Sequence, residues 1–441
     1  MLNRLLGVLT VLVMTGAGVT AGAAGATAGM TQTTVVSANP VDYTPQLASD
    51  ATVAHPAAYA VGQSSDATMM YVGGQFHAVQ GPAGSAQPPL TRSNFVAFTA
   101  ATGTVSTRVA PVFNGPVWAI RSAGSSLYVA GEFTAVNGSP RKGVVKLSAA
   151  TGAVDPAFTP PAWKFGKAYD LRIVKGRLIV AGTFPGALLA LNPTTGADTG
   201  YLHLGISGTC VDNAACGTDG APASGEPTHV YRFAVNPAGT RLVAVGNFAA
   251  PHPRAFMVDL GTTATVDRWY YAPLANSCAL PKVYPAYLRD VDFSPDGAYF
   301  VIVGTGYVPM SGGVGRDVCD AAARFETATA SPLRPTWLNY TGGDTLHSVV
   351  ITGAAVYVQG HQRWLDNPTG HDSCLTTCVA RPGIGAIDPT SGRALPWNPT
   401  KTRNVGGKDL LATASGVWVA SDGSKIGHEV HYGIALMPLN P

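Results

Sequence analysis

Polar side chains recur at two fixed positions of a repeated pattern in this chain. The position that ends a predicted strand is polar in all seven copies: Gln75, Glu132, Thr183, Asn247, Thr305, His361 and Asp422. The position near the start of the preceding strand is charged or polar in five copies: Asp170, Arg232, Asp290, Ser348 and Asp409. Tyr169, Arg289, His347 and Lys408 lie beside it. Carboxylates near imidazole or guanidinium groups can bind a cation or a sugar, and two carboxylates can share general acid–base catalysis.

These positions provide the candidates for chemistry. The catalytic candidates are Asp170, Asp290, Asp409, Asp422 and His347. Glu132, Arg232 and His361 are candidates for ligand binding. The same residues have a simpler structural interpretation, because polar groups at strand ends are solvated and Asp and Arg of neighbouring repeats can pair with each other. The chain contains no GxSxG, HExxH or P-loop motif, so the sequence favours the structural interpretation and no catalysis.

A loop at 361–380 carries a second group of candidates. It places Arg363, Trp364 and Asp366 close together, as a sugar-binding lip would require, since aromatic rings stack on sugar faces. Trp364 equally suits a structural role, in which its side chain only covers a loop closed by a disulfide. Asp366-Asn367 or Asp212-Asn213 would suit calcium, which prefers carboxylate and amide oxygens. Two such residues are too few for a site, so we predict no metal and no cofactor.

Internal repetition predicts the elements that position these residues. Val72-Gly73-Gly74-Gln75-Phe76 recurs with anchor positions at 74, 131, 182, 246, 304, 360 and 421, about 58 residues apart on average. Each repeat reads as four short strands, and no segment has a sustained helical period. We therefore predict an all-β fold, a seven-bladed β-propeller with four antiparallel strands per blade. An array of separate β-sandwiches is the alternative, and nothing between repeats resembles a linker.

The first 50 residues are predicted to serve two purposes. Arg4, an apolar stretch at 5–13 and Ala26-Thr27-Ala28 are typical of a signal peptide over residues 1–28. The alternative is an uncleaved N-terminal anchor. Asp42-Tyr43-Thr44-Pro45 resembles the outer-strand ending Ala157-Phe158-Thr159-Pro160, so residues 29–50 are expected to close the last blade. Residues 51–441 then form one domain. No later stretch is apolar enough to span a membrane, so we expect a secreted, extracellular protein.

Cysteine usage agrees with export. The six cysteines are an even number and all follow residue 200: Cys210, Cys216, Cys278, Cys319, Cys374 and Cys378. Cys210–Cys216 and Cys374–Cys378 are each close enough to close a loop, which leaves Cys278–Cys319. These spacings do not suit zinc. With 28 basic and 25 acidic residues, the chain lacks the basic excess that nucleic-acid binding needs.

The repeat also resembles a known family. The Tyr-Val-Gly-Gly-x-Phe strand, the Leu-x-x-x-Thr-Gly turn and the Phe-x-Pro ending are similar to the delta-60 repeat, a β-propeller domain of unknown function common in exported actinobacterial proteins. The opening at 35–40 and the ending from 361 to 422 resemble the ends of that family. The middle repeats lose the Asn-Gly-x-x-Arg loop and gain cysteine-bearing insertions. The resemblance implies a propeller and export, but it assigns no activity and no catalytic residue.

Three functions are consistent with these observations. The first is an extracellular binding or interaction module, for a glycan or cell-envelope partner. The second is a polysaccharide lyase or glycoside hydrolase that uses carboxylates at one mouth of the central channel. The third is a passive structural protein. We expect a monomer and place the binding module first, because the chain is one repeated fold with no catalytic motif.

Overall fold

The computed structural model describes residues 30–163, 166–209, 228–375 and 377–440. Within these ranges the chain is all-β, and its only helical segment is a short 3-10 turn at Ala272–Ala275. The predicted signal peptide, the Cys210–Cys216 pair and the Asp212-Asn213 calcium candidate lie outside the described residues. No helix in the described ranges is long and apolar enough to cross a membrane.

Seven sheets of the described chain share one pattern, in which two long antiparallel strands are followed by a third strand that pairs with the second. Sheets I to III contain Ala57–Gln63, Met69–Gln75 and Phe95–Thr99; Val117–Ala123, Ser126–Gly131 and Val144–Ser148; and Ala168–Val174, Arg177–Gly182 and Leu188–Leu191. Sheets IV and V contain His229–Val235, Arg241–Asn247, Ala255–Leu260 and Ala264–Val266; and Leu288–Phe293, Tyr299–Gly304, Ala321–Glu326 and Trp337–Tyr340. Sheets VI and VII contain Leu346–Ile351, Val356–Gly360 and Ile384–Ile387; and Asp409–Thr413, Gly416–Ala420 and Ile434–Pro438.

The fourth strand is shorter than the sequence pattern predicts. Only sheets IV and V of the described chain have it as a full strand. In sheets I, II, III and VI it is reduced to one bridged residue: Val105, Val154, Asp198 and Ala394. Prolines follow closely after Val154 and Ala394, and proline cannot donate a ladder hydrogen bond. Pairing therefore stops after one residue there.

Short strands lie in the connections outside these sheets. They pair as Gln46–Ala48 with Ala78–Gln80, which also pairs with Leu90–Thr91; Ala135–Val136 with Ser139–Pro140; Trp364–Leu365 with Val379–Ala380; and Lys425–Ile426 with Glu429–Val430. Gln46–Ala48 precedes sheet I, and the other short strands follow the second strands of sheets I, II, VI and VII. They stiffen the loops that extend beyond the second strands.

The N-terminal segment lies along the last strand of the chain. The backbone N–H of Ser37 donates to the carbonyl of Pro438 at 2.7 Å, and that of Val41 donates to Leu436 at 3.0 Å. The Thr44 hydroxyl donates to the carbonyl of Ile434 at 3.2 Å. The two ends of the described chain are therefore joined at sheet VII.

The hydrophobic core lies between neighbouring sheets. Sheets I and II, for example, bury Tyr71, Phe95, Ile120 and Val129 against one another. The first strand of each sheet contacts the first strands of two other sheets, and sheet VII contacts sheet I. Because both faces of a sheet are covered, no single repeat can bury its apolar residues alone.

A β-bulge lies near the start of the first strand in sheets I to VI. The pairing register shifts by one residue there, for example between Ala58 and Ala60 and between Val230 and Arg232. A bulge leaves one residue without a ladder partner and turns its side chain in a new direction. Lys408 occupies the corresponding position just before the first strand of sheet VII. We call these seven residues the bulge ring: Tyr59, Trp118, Tyr169, Tyr231, Arg289, His347 and Lys408.

Candidate functional site

The bulge ring divides into an aromatic arc and a basic arc. Every member is half-buried, whereas the residue that follows each one is buried. The buried residues that follow are the ones that the sequence pattern selected, such as Asp170, Asp290 and Asp409. The pattern followed the regular alternation of the strands, and the bulge inserts one residue into that alternation. The bulge-ring residues, which are partly exposed to solvent, therefore come one position before the residues that the sequence pattern selected.

Four consecutive sheets supply the aromatic arc: Tyr59, Trp118, Tyr169 and Tyr231. The rings of Tyr59 and Trp118 are stacked, with centroids 4.3 Å apart and planes within 13°. Trp118 meets Tyr169 edge-on at 5.6 Å, and Tyr169 lies 5.2 Å from Tyr231. Successive rings in contact make a continuous aromatic surface, with hydroxyl and indole N–H groups that can form hydrogen bonds.

The next three sheets supply the basic arc: Arg289, His347 and Lys408. The Arg289 guanidinium lies 4.4 Å from the centroid of the Tyr231 ring, so the two arcs are continuous. Burial and the positive charge of Arg289 lower the pKa of Lys408 to about 7, although Asp422 opposes this. Burial, Lys408 and Arg289 also hold the pKa of His347 well below its ordinary value. The basic arc is thus a place where positive charges repel one another.

A layer of buried charge lies next to the bulge ring. Asp170, which is 0% exposed, is 3.7 Å from Arg121, 3.6 Å from Arg172 and 3.7 Å from Arg232. Arg232 also donates to the backbone carbonyls of Trp118 and Tyr169, at 3.5 and 3.3 Å. Burial opposes the charge of Arg232, but the nearby carboxylates outweigh it and raise its pKa. Arg232 therefore links residues of the ring to one another.

Three of the predicted catalytic carboxylates join neighbouring sheets. Asp170 accepts a hydrogen bond from the backbone N–H of Phe233 at 3.3 Å. Asp290 accepts one from Val349 at 2.9 Å, and Asp409 accepts one from Val61 at 2.9 Å. In each case the donor lies two residues after a bulge-ring residue of the next sheet. These bonds fix the backbone at the bulges, and a catalytic role for the three carboxylates stays a prediction.

A cavity of about 340 Å³ is lined by residues of the first strands of all seven sheets. Its wall combines apolar side chains such as Leu410 with Arg121, Asp290 and Asp292. Burial raises the pKa of Asp290 to about 7 and that of Asp292 to about 6, against the pull of backbone N–H donors and arginines. Asp290 and Asp292 are therefore carboxyl groups in this wall whose charge changes near neutral pH, with Asp290 the closer to pH 7.

The raised pKa of Asp290 predicts a pH-dependent stability. Its unfolded pKa is about 3.9, so the protonated form favours the fold below that value, and this contribution is lost as the pH rises through 7. Between pH 5 and pH 8 we expect the free energy of unfolding of the wild type to fall by about 2 kcal/mol relative to Asp290→Asn. Urea denaturation at both pH values measures this difference.

Asp66→Asn is the matched control. Hydrogen bonds from Ser64 and Thr68 lower the pKa of Asp66, so its carboxylate stays charged throughout that range. The difference in free energy of unfolding between Asp66→Asn and the wild type should not vary between pH 5 and pH 8. If Asp290→Asn also gave a constant difference, the carboxyl group of Asp290 would not titrate in this window.

Two ligand-binding candidates at strand ends lie beside the ring. Glu132 accepts from the indole N–H of Trp118 at 2.9 Å and pairs with Lys167 at 3.0 Å. The rings of His361 and His347 have centroids 5.9 Å apart. Asp422, a catalytic candidate, accepts backbone N–H bonds at 2.9 and 3.2 Å from residues 405 and 406.

The 361–380 loop is held by ion pairs of Arg363, one with Asp344 outside the loop and one with Asp372 inside it. Arg363 donates to Asp344 at 2.8 Å, pairs with Asp372 and lies 4.4 Å from the ring of Trp364. Asp366 is buried, and it accepts from Asn339 at 2.6 Å and from the backbone N–H of Ala394 at 3.1 Å. The carboxylate of Asp366 thus already has donors in the fold, whereas Trp364 remains half-exposed.

Cysteine pairing follows the sequence prediction where the chain is described. Disulfides join Cys278 to Cys319 and Cys374 to Cys378, so both predicted pairs are confirmed. The described residues contain no group of three or more His, Cys, Asp or Glu side chains placed to hold a metal ion.

Comparison with known proteins adds the fold family of one segment. A family model described as "Domain of unknown function (DUF5122) beta-propeller" matches residues 126–158. The matched segment begins at the second strand of sheet II and ends after its bridged residue Val154. No curated protein sequence matches the chain. The match supports a β-propeller domain of unknown function, and it carries no residue roles to the bulge ring.

Three residues of the aromatic arc were not among the sequence candidates. Tyr59, Trp118 and Tyr231 come immediately before the residues that the apolar alignment selected, as do the four neighbours that it noted. A signal was present, because every copy has an aromatic or basic residue one position earlier. Its meaning depends on the bulge, which the strand pattern alone does not predict.

Proposed function

We propose that this protein is a secreted seven-bladed β-propeller that binds an extracellular glycan at its bulge ring. Seven sheets of one pattern, with first strands in contact in cyclic order, support the seven-bladed ring. Closure by the N-terminal segment is supported by its bonds to residues 434–438. Two disulfides and the signal-like N-terminal sequence support export.

The observation that carries the binding function is the stacked, half-exposed pair of Tyr59 and Trp118. Such rings offer a large rigid surface that loses little conformational entropy on binding, and sugars present apolar faces that match it. Both rings also have a polar partner, since Trp118 donates to Glu132 and the Tyr59 hydroxyl donates to Gln75 at 3.1 Å. The pair is therefore held in place before a ligand arrives.

Loss of the Trp118 ring should weaken glycan binding. We expect Trp118→Ala to reduce affinity by about tenfold or more, because aromatic contacts contribute about 0.5–1.5 kcal/mol beyond the apolar area that they bury. The measurement is retention of the mature protein on immobilised polysaccharides and on its own cell wall, followed by titration of the polymer that retains it.

Trp364→Ala is the comparison variant, since that ring belongs to the alternative lip at 361–380. Weaker binding in Trp118→Ala alone places the ligand at the ring. Weaker binding in Trp364→Ala alone would move the site to the lip. If no polysaccharide retained the wild type, the binding function would be wrong and the passive structural role would replace it.

A polysaccharide lyase or glycoside hydrolase is the second candidate. One observation favours it: Asp290 lies in a cavity wall with a pKa of about 7, which suits general acid–base catalysis at neutral pH. Mass spectrometry of the supernatant from the retention experiment tests it. Released oligosaccharides that disappear in Asp290→Asn would favour the enzyme, and retention without release would favour the binding module.

A further inference from the structure

We infer that the glycan bound by the bulge ring is acidic, with a carboxylate or phosphate group seated on the basic arc. This inference rests on the proposed binding function and adds the charge of the ligand. It starts from the order of residues around the ring. Four aromatic side chains come from sheets I to IV, and three basic ones come from sheets V to VII.

The basic arc has two cations, Arg289 and Lys408, and neither has a carboxylate partner in the described part of the chain. In the ranges that the structure describes, no carboxylate lies within ion-pair distance of Arg289, His347 or Lys408, although Arg121, Arg172, Arg232 and Arg403 do have such partners. His347 itself adds no cation, because its pKa is held well below the ordinary value and its Nε2–H donates to the carbonyl of Val405 at 2.9 Å. The positive charges of Arg289 and Lys408 are therefore left without a carboxylate partner at this point.

Three carboxylates close to the ring, Asp344, Asp422 and Glu132, are already engaged. Asp344 lies 4.0 Å from His361, but it pairs with Arg363 and with Arg403 at 3.1 Å. Asp422 accepts from two backbone N–H groups, and Glu132 is on the aromatic side, paired with Lys167. Asp422 raises the pKa of Lys408, but it lies beyond ion-pair distance and does not offset the opposing effects of burial and Arg289.

An anion on this surface would remove a cost that the free protein bears. Arg289 and Lys408 repel each other in a half-buried setting, where charges interact more strongly than in water. A carboxylate or phosphate can accept charge-assisted hydrogen bonds from both. A neutral sugar could stack on the aromatic arc but would leave the repulsion unchanged. The two arcs together thus fit a sugar whose ring stacks and whose acidic group faces Arg289.

Matched polymers test the sign of the charge. Polygalacturonate and its fully methyl-esterified form share a backbone but differ in charge, and a polymer of hexose units joined by phosphodiesters supplies phosphate instead of carboxylate. We expect wild-type protein to bind one of the two acidic polymers at least tenfold more tightly than the esterified one. The polymer that is preferred distinguishes carboxylate from phosphate. Equal affinity for acidic and neutral forms would overturn the inference and leave the proposed function intact.

Substitutions that remove single positive charges test which residues cause the preference for the acidic polymer. Lys408→Met and Arg289→Met should each lose about tenfold in affinity for the acidic polymer and keep their affinity for the neutral one. Lys175→Met is the matched control, because it removes an exposed lysine from the turn at the opposite end of a first strand. An acidic preference unchanged in both arc variants would contradict the inference.

A salt titration of the wild type keeps the test independent of how the variants fold. Affinity for the acidic polymer should fall between 50 and 500 mM salt as charges are screened, with no such change for the esterified polymer. The same salt response for both polymers would overturn the inference. Retention on no polymer at all would remove the proposed binding function, and this inference with it.

Discussion

Asp170→Ala is expected to destabilise the protein by about 3–5 kcal/mol, the range for removing one partner of a buried ion pair. The carboxylate lies among Arg121, Arg172 and Arg232 and is fully buried. Alanine would leave three guanidinium groups without their shared counter-charge. It would also leave the backbone N–H of Leu171 and that of Phe233 without their acceptor.

Urea denaturation of the variant measures this cost, and Asp155→Ala is the control. Asp155 pairs with Lys146 at 2.9 Å, a shorter distance than any of the Asp170 pairs, but its side chain is 29% exposed. Exposed pairs contribute about 0–1 kcal/mol, so the closer pair should matter less. Equal losses in the two variants would contradict a structural role for the buried layer.

Asp170→Asn separates the two contributions of the carboxylate. The amide keeps one acceptor oxygen for the backbone but loses the negative charge. We expect its stability to lie between those of the wild type and Asp170→Ala. A variant as unstable as Asp170→Ala would assign the whole effect to charge.

The repeat was the most reliable sequence signal, because its glycines have a geometric cause. In sheets I to VI the anchor glycine pairs with the first strand beside the bulge, for example Gly74 with Ala58 and Gly246 with Val230. A Cβ atom there would meet a backbone carbonyl, 2.0 Å away for Gly74 and 2.2 Å away for Gly246. The close approach of two backbones requires glycine at this position, and the repeated glycine is visible directly in the sequence.

The seventh copy lacks this glycine for a structural reason. Its anchor position is Ser421, and the ladder of sheet VII begins one residue earlier, with Asp409 paired to Ala420. Ser421 is therefore outside the ladder between the first two strands. The absent glycine in the weakest copy of the repeat is consistent with the geometry of the other six.

The bulge ring was only half predictable. Regular strands alternate with a period of two, so an alignment on apolar residues keeps its register only while the pairing is regular. The bulge shifts the register of the strand by one residue, so the alignment selected buried residues such as Asp290 in place of Arg289. The sequence showed that charge gathers at this end of the strands, but not which member of each pair faces solvent.

The partners of the buried carboxylates could not be predicted either. Asp290 and Val349 are 59 residues apart and lie on different sheets. Their contact depends on how far each first strand is displaced along its neighbour. Repeat spacing gives the number of copies, but it does not give that displacement.

Gly74→Ala is expected to destabilise the protein by about 1–3 kcal/mol or more, as overpacking in a close-packed region does. The added Cβ atom would lie 2.0 Å from the Ala57 carbonyl oxygen and 2.9 Å from the Ala58 Cα atom. Both are backbone atoms of the first strand, so no side-chain rotation can relieve the contact. The strands must separate next to the bulge, which would also displace Tyr59 from its stack on Trp118.

Gly261→Ala is the matched control for this effect. The nearest atom to its added Cβ is the Thr263 carbonyl oxygen at 3.4 Å, an ordinary contact at the edge of sheet IV. That substitution should be neutral or slightly stabilising, since alanine reduces the entropy of the unfolded chain. Urea denaturation compares the two variants, and near-ultraviolet circular dichroism reports on the Tyr59–Trp118 stack. Equal stability of Gly74→Ala and Gly261→Ala would show that the two strands can separate at little cost, and the repeated glycine would then need another explanation.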